Sequence, residues 1–134
     1  MAILESLLWL SLNIYHEARS EDKIAQIAVA HVTLNRSRPV KVSVLKPYAF
    51  SWTHQKTSYF PTDIPAYFDS LHSAYLALQG TDFTGGANHY HRIKVKPKWR
   101  SKLTYIGTIG EHVFYKPLVK IKASKKKVKL CQVY

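Results

Sequence analysis

Ile14-Tyr15-His16-Glu17-Ala18-Arg19-Ser20-Glu21, followed closely by Gln26-Ile27-Ala28-Val29-Ala30-His31-Val32-Thr33-Leu34-Asn35-Arg36, is the stretch that decides the fold. It reads as the end of one helix, a polar joint and the body of a second. Upstream, Leu4, Leu7, Leu8, Ser11, Tyr15 and Ala18 recur at helical spacing, which predicts a helix over residues 2–18. Glu17 falls on the flank of that stripe beside Leu10 and Ile14, where a carboxylate is half-wrapped in apolar atoms. Ser20 has the chemistry of an N-cap for a second helix over about 21–36, with Glu21 and Asp22 in its first turn, where the helix dipole favours negative charge. Ile24, Ile27, Ala28, His31, Leu34 and Asn35 form its expected inner stripe.

Working outward, residues 40–64 are mixed and turn-rich, with a short helical turn expected near Val42–Leu45 and a long loop after it. Pro65 to Gln79 is a clear helix, with Pro65 in the first turn, Gly80 at its end and Asp63 helping to start it. Its expected buried face is Tyr67, Phe68, Leu71, Ala74, Tyr75 and Leu78. Beyond the Gly85-Gly86 turn the period changes. Asn88–Ile93, Leu103–Ile109 and His112–Tyr115 read as short strands, the last two split by Gly110. Helices first and strands later predict an α+β domain, mainly helical in its N-terminal part. Residues 1–116 form the expected domain, and 117–134 a lysine-rich, acid-free extension read as a solvated tail, with a strand-like tip at Val119–Ile121 as the alternative.

The net charge of +12 arises because eight carboxylates face twenty Lys and Arg. Such an excess calls for an anionic partner: nucleic acid, an anionic lipid surface or an acidic wall polymer. Cys131 is the single cysteine, so an intramolecular disulfide and a Cys-rich zinc site are excluded. The apolar stretch Leu7–Tyr15 is short, interrupted by Ser11 and Asn13, and lacks a basic flank, which disfavours a signal peptide. No stretch reaches the ~20 apolar residues of a membrane span. We therefore expect synthesis without a signal peptide.

The eight acids can be sorted one by one. Glu5 and Asp69 fall on polar helix faces, and Asp82 sits in a Gly/Thr turn where it bonds local backbone. Glu17 and Glu21 remain as a pair with contrasting surroundings, and Glu111 stands apart. Burial and a helix C-terminus raise the pKa of Glu17, whereas a helix start keeps Glu21 ionised. One protonated and one ionised carboxylate are what glycoside cleavage uses. Spacing alone leaves open a structural ion pair of Glu17 with Arg19, Lys23 or Arg36. His16-Glu17 begins like a zincin helix, but Ser20 stands where the second histidine belongs. His89 and His91 share one side of a strand without an obvious third ligand, so neither metal nor other cofactor is expected. Gly-x-Ser-x-Gly is absent from the sequence, as is a phosphate-cradling glycine loop.

The two segments quoted first, together with Phe50-Ser51, Ala74–Gly80, Asp82–Ala87 with Tyr90, and Ile109–Tyr115, resemble the SleB-like cell-wall hydrolases, which include spore cortex-lytic enzymes and phage lysins. The resemblance covers about residues 8–115 and rests on the order and spacing of the segments. It implies a lysozyme-like α+β fold and cleavage of the bond between N-acetylmuramic acid and N-acetylglucosamine in peptidoglycan, with lytic transglycosylase chemistry. The family's essential glutamate, first in its "EA-x-x-E" segment, matches Glu17. Glu21 is the base if water is the attacking group. Phe50, Trp52, Tyr90 and Tyr115 are expected to stack on sugars, and Asn35, Ser51 and His112 to position hydrogen bonds. Ser20 replaces a common glycine, Asn88 and His89 stand where apolar residues are usual, and His16 stands where a small residue is. A charged His16 near Glu17 would oppose its acid role. The expected partners are glycan strands and, through the tail, anionic wall or envelope polymers. The expected enzyme is monomeric and endolysin-like, acting on the wall after release or from a virion. The rival reading is a non-catalytic basic protein that binds walls or nucleic acid.

Overall fold

The computed structural model describes residues 2–47, 49–54 and 58–118. Four helices come first: α1 (Ala2–Ala18), α2 (Lys23–Leu34), the short α3 (Val40–Leu45) and α4 (Ile64–Gln79). A three-stranded antiparallel sheet follows, built from β1 (His89–Arg92), β2 (Leu103–Ile109) and β3 (His112–Pro117) in the order β1-β3-β2. Two 3-10 turns, Ser51–His54 and Lys98–Lys102, punctuate the connections. The helical half and strand-bearing half agree with the sequence expectation, and the strand starts and ends agree within two residues. The lysine-rich tail and the strand-like tip at Val119–Ile121 lie outside the described residues. Pro117, assigned above to the tail, is paired with Leu103 in the sheet.

The helices bury part of the faces expected: Ser11, Tyr15 and Ala18 of α1, Ala28 and His31 of α2 and Ala74 of α4 are buried as the stripes predict, and other members are not. In α1 the inner face is Leu10, Ser11, Leu12, Asn13, Ile14, Tyr15 and Ala18, whereas Leu4 and Leu8 are exposed. In α2, Ile24 is exposed and the continuous run from Ala28 to Thr33 is buried. Ser70, Ser73, Ala74 and Ala77 form the buried face of α4, and Phe68, Tyr75 and Leu78 look outward. The cause is close approach: α4 packs on both α1 and α2. Facing backbones leave room only for small side chains, so the large apolar residues are displaced to the rims. An apolar period identifies a helix without fixing which side meets its neighbours.

At the seam between α2 and α4, buried polar groups meet specific partners. Ser73 donates to Oε1 of the fully buried Gln26. The Gln26 amide in turn donates to the carbonyls of Ala18 (3.2 Å) and Glu21 (3.3 Å). One side chain thereby ties α4 to the turn that ends α1. That turn also corrects the expected cap. Helix α2 starts at Lys23 with Asp22 at its N-cap, so Glu21 lies in the joint and Ser20 caps nothing. At α4 the signals hold: Asp63 accepts from the Ala66 N–H (3.1 Å), and Pro65 occupies the first turn.

The core has two adjoining parts. One joins α1, α3 and α4 with Phe50 and Trp52. The other sets Phe114 of β3 and Ala87 against Ala18, Ala28, Val29 and Val32. This second part seats the sheet over the end of α1, where Glu17 lies.

Candidate active site

Glu17 is placed by α1 and is met by Tyr90 from β1. The Tyr90 hydroxyl donates to Glu17 Oε1 at 2.7 Å. Burial raises the Glu17 pKa, opposed by the Tyr90 hydrogen bond and by the charges of Arg92 and Arg36. Burial, and then the neighbouring Glu17 charge, push the Tyr90 hydroxyl far above its usual value, so it stays a neutral donor. Glu17 takes part in none of the ion pairs among the described residues. Lys23 instead pairs with Asp69 at 2.7 Å, and Arg19 turns back to the Tyr15 carbonyl. Arg36 donates to the Asn88 carbonyl and lies 5.1 Å from the Phe50 ring centre. The structural ion pair left open by the sequence is not formed.

The second carboxylate of the pair has a different occupation. Glu21 Oε1 accepts from the backbone N–H of Glu111 (2.7 Å) and lies 3.0 Å from His112 Nδ1. Its side chain is only 11% exposed. Glu21 thus latches the joint between α1 and α2 to the β2–β3 hairpin. His112 is buried and meets the Tyr90 ring edge-on, with centroids 5.1 Å apart. Gly110 makes the latch possible. Its φ of +58° suits glycine, and a Cβ there would lie 2.9 Å from Glu21 Oε2.

The His16 ring makes its contacts with Tyr59 and Trp52. Its Nε2 bonds the Tyr59 carbonyl (2.9 Å), and its ring stacks on Trp52 with centroids 4.4 Å apart. Burial lowers its pKa, which keeps it neutral. The conflict expected between His16 and an acidic Glu17 does not arise.

Glu17, Asn35, Phe50 and Tyr90 line one open groove of about 690 Å³, with Arg36 and Trp99. The structure brings these four expected site residues together. Asn35 donates to Asp82 Oδ2 and to the Ala87 carbonyl, both at 2.8 Å, so it braces the groove wall. Glu21, Ser51, Trp52, His112 and Tyr115 are not among the groove's lining residues. Trp52 is buried and donates its Nε1 to Asn13 Oδ1 at 2.8 Å. Tyr115 is buried against His91, whose Nε2 lies 2.9 Å from its hydroxyl. His89 Nδ1 lies beside Asn88, and His91 Nδ1 faces the Arg92 carbonyl. Among the described residues no group of three metal-binding side chains forms.

Sequence reasoning missed Arg36, Arg38, Lys46 and Trp99 in the groove, and also Asn13. Asn13 lies one turn before Glu17, fully buried, and its amide is close enough to lower the Tyr90 pKa. A polar residue four positions before a candidate acid, inside an apolar run, was the signal available for it. Trp99 reaches the groove through a 3-10 turn that leaves no period in the sequence.

The site is thus a carboxylate at a helix end, raised in pKa by burial and facing an open groove beside a small sheet, in a lysozyme-like α+β fold. The chain belongs to the cell wall hydrolase family, whose pattern matches residues 20–115. Glu17 lies just before the matched segment. A spore cortex-lytic enzyme of Halalkalibacterium halodurans is 34% identical over 109 residues, covering 75% of this chain and 32% of that protein. The chain thus spans about a third of the length of that relative. The catalytic domain of the Bacillus cereus SleB protein superposes with a TM-score of 0.69 at 28% identity, covering 83% of this chain and 89% of that domain. The catalytic domain of the germination-specific lytic transglycosylase SleB from Bacillus anthracis gives 0.71 at 28% identity, with 83% and 93% covered. Among the described residues no helix is long and apolar enough to cross a membrane.

Proposed function

We propose that this protein is a peptidoglycan lytic transglycosylase that cleaves the bond between N-acetylmuramic acid and N-acetylglucosamine, with Glu17 as its acid and base. The observation that carries the reading is that Glu17 is the sole carboxylate among the groove's lining residues, and that burial raises its pKa. Protonated Glu17 gives its proton to the bridging oxygen as the bond to muramic acid C1 breaks. Positive charge develops at C1. The Tyr90 hydroxyl and the charges of Arg36 and Arg92 then stabilise the Glu17 carboxylate. That carboxylate removes the proton of the muramyl 6-hydroxyl, whose oxygen attacks C1 and closes a 1,6-anhydro ring. No water is consumed, and one carboxylate serves both steps.

Hydrolysis would need a base for water, and Glu21 is the candidate. Its engagement by the Glu111 N–H and His112 favours a positioning role for Glu21 and hence the anhydro product. Phe50 and Tyr90 contribute aromatic surface beside the bound sugars, with Trp99 added to the set. The enzyme acts as a monomer, and its lysine-rich tail holds it on anionic wall polymers. The product distinguishes the two chemistries: anhydromuramyl ends support transglycosylation, and reducing muramic acid ends refute it in favour of hydrolysis. An endolysin-like use predicts lysis of a bacterial host on co-expression with a holin, and survival of the host carrying Glu17→Gln.

A further inference from the structure

The groove is one-sided in charge. Among the described residues, three cations, Arg36, Arg38 and Lys46, line it with Glu17 as the sole anion. Arg36 is committed to the Asn88 carbonyl and the Phe50 ring. Arg38 and Lys46 are exposed and join no ion pair among the described residues. They come from neighbouring segments: Arg38 just past the end of α2, Lys46 at the end of α3. The Arg38 charge acts on Arg36, whose pKa it lowers after burial has done so, and the Lys46 charge acts on another lining residue, His89. After burial, the charges of Arg36 and Lys46 are what depress the His89 pKa. Like charges held together without a counter-ion repel one another, so this wall is prepared for an anion that arrives with the ligand.

We propose that Arg38 and Lys46 form a carboxylate-binding flank that takes the free carboxylates of the peptide stem borne by the glycan strand lying across Glu17. The inference rests on the glycan-cleaving reading given above. An anion read in this groove must belong to the strand or hang within a few bonds of it. The stem meets that condition, because it is joined to each muramic acid through the lactyl ether and carries carboxylates. The Arg38 guanidinium offers a planar fork that matches a carboxylate, and Lys46 adds a mobile point charge. Specificity would then lie between stem-bearing and stem-neutralised strands, with cleavage still set by Glu17 and Tyr90.

The test uses the full chain carrying Glu17→Gln, so that binding is read without turnover. The probes are a phosphate-free, tripeptide-bearing dimer of the peptidoglycan disaccharide and the same compound with its carboxylates converted to amides. At low ionic strength the native probe should bind on the order of fivefold more tightly than the amidated one. Adding Arg38→Gln with Lys46→Gln should bring the two affinities together, and Arg38→Glu should reverse the preference. Both side chains are exposed, and unchanged melting curves check the variants. Equal binding of the two probes to the Glu17→Gln protein overturns the proposal, as does an equal loss for both on removing the two cations. The protein with Glu17 intact reports separately on the underlying reading. If it cleaves both probes, the reading stands even where the affinities are equal. If it cleaves neither, the reading falls while the affinity difference still decides the flank.

Discussion

Replacing Gly110 by alanine should cost far more than its single methyl group implies. The backbone there has φ +58°, which costs an L-residue roughly 1 kcal/mol. The new Cβ would also lie 2.9 and 3.1 Å from the two Glu21 carboxylate oxygens and 3.2 Å from Ala25 Cβ. The carboxylate must move, and it then gives up good geometry with the Glu111 N–H and His112. A hydrogen bond to a charged group contributes about 1.5–3 kcal/mol. Losing one of the two and adding the backbone strain gives about 2.5–4 kcal/mol. Gly85 supplies the control, since its φ is +71° but a Cβ there meets nothing within 4 Å. Gly85→Ala should therefore cost only about 1 kcal/mol. Urea unfolding of both variants, with unchanged m-values, reads the difference, and thermal melting should separate them by roughly 10 °C. Gly110→Ala should also lower activity, because His112 supports the Tyr90 ring that reaches Glu17. Equal costs for the two glycines would refute the latch, even if both variants remained folded.

Tyr90→Phe removes the donor that stabilises ionised Glu17, so kcat should fall by about one to two orders of magnitude while the alkaline limb of the pH profile moves upward. A downward shift would contradict the assignment of donor and acceptor. In the folded protein the Glu17 pKa is raised, so its stabilising contribution is complete below the unfolded carboxylate value and is lost as pH rises through the folded value. Glu17→Gln should remove that loss, and its melting temperature relative to wild type should climb between mildly acidic and neutral pH; a flat difference would contradict it. Glu21→Gln should keep kcat within about threefold if the residue positions rather than reacts, whereas Glu21→Ala should destabilise by about 2–4 kcal/mol. A folded Glu21→Gln protein without activity would restore Glu21 as a base. Removing the chain after Leu118 should weaken binding to insoluble walls most strongly at low salt, and an unchanged isotherm would dismiss the tail as a wall anchor.

Much of this site was legible in the sequence because its chemistry is local. Glu17 at the end of an apolar run, the strand carrying Tyr90, and the glycine that splits β2 from β3 all follow from short-range rules. What could not be read depends on packing between distant segments. Glu21 looked like a helix-start carboxylate because the identity of its partners, Glu111 and His112, is a tertiary fact. Trp52 and Tyr115 looked like sugar platforms because aromatics suit both grooves and cores. The structure sends Trp52 to Asn13 and His16, and Tyr115 to His91. The helix faces were legible only in part for a related reason: in α4 the expected Ala74 is joined at the buried face by Ser70, Ser73 and Ala77, small residues that carry little apolar signal.

The central claim concerns one carboxylate and one product. Purified protein and its Glu17→Gln variant should be incubated with insoluble peptidoglycan, and the soluble products identified by mass spectrometry. The account predicts 1,6-anhydromuramyl fragments from the unaltered protein and none from the variant, with both folded. Comparable release by the folded variant, or release of reducing muramic acid ends alone, would contradict it.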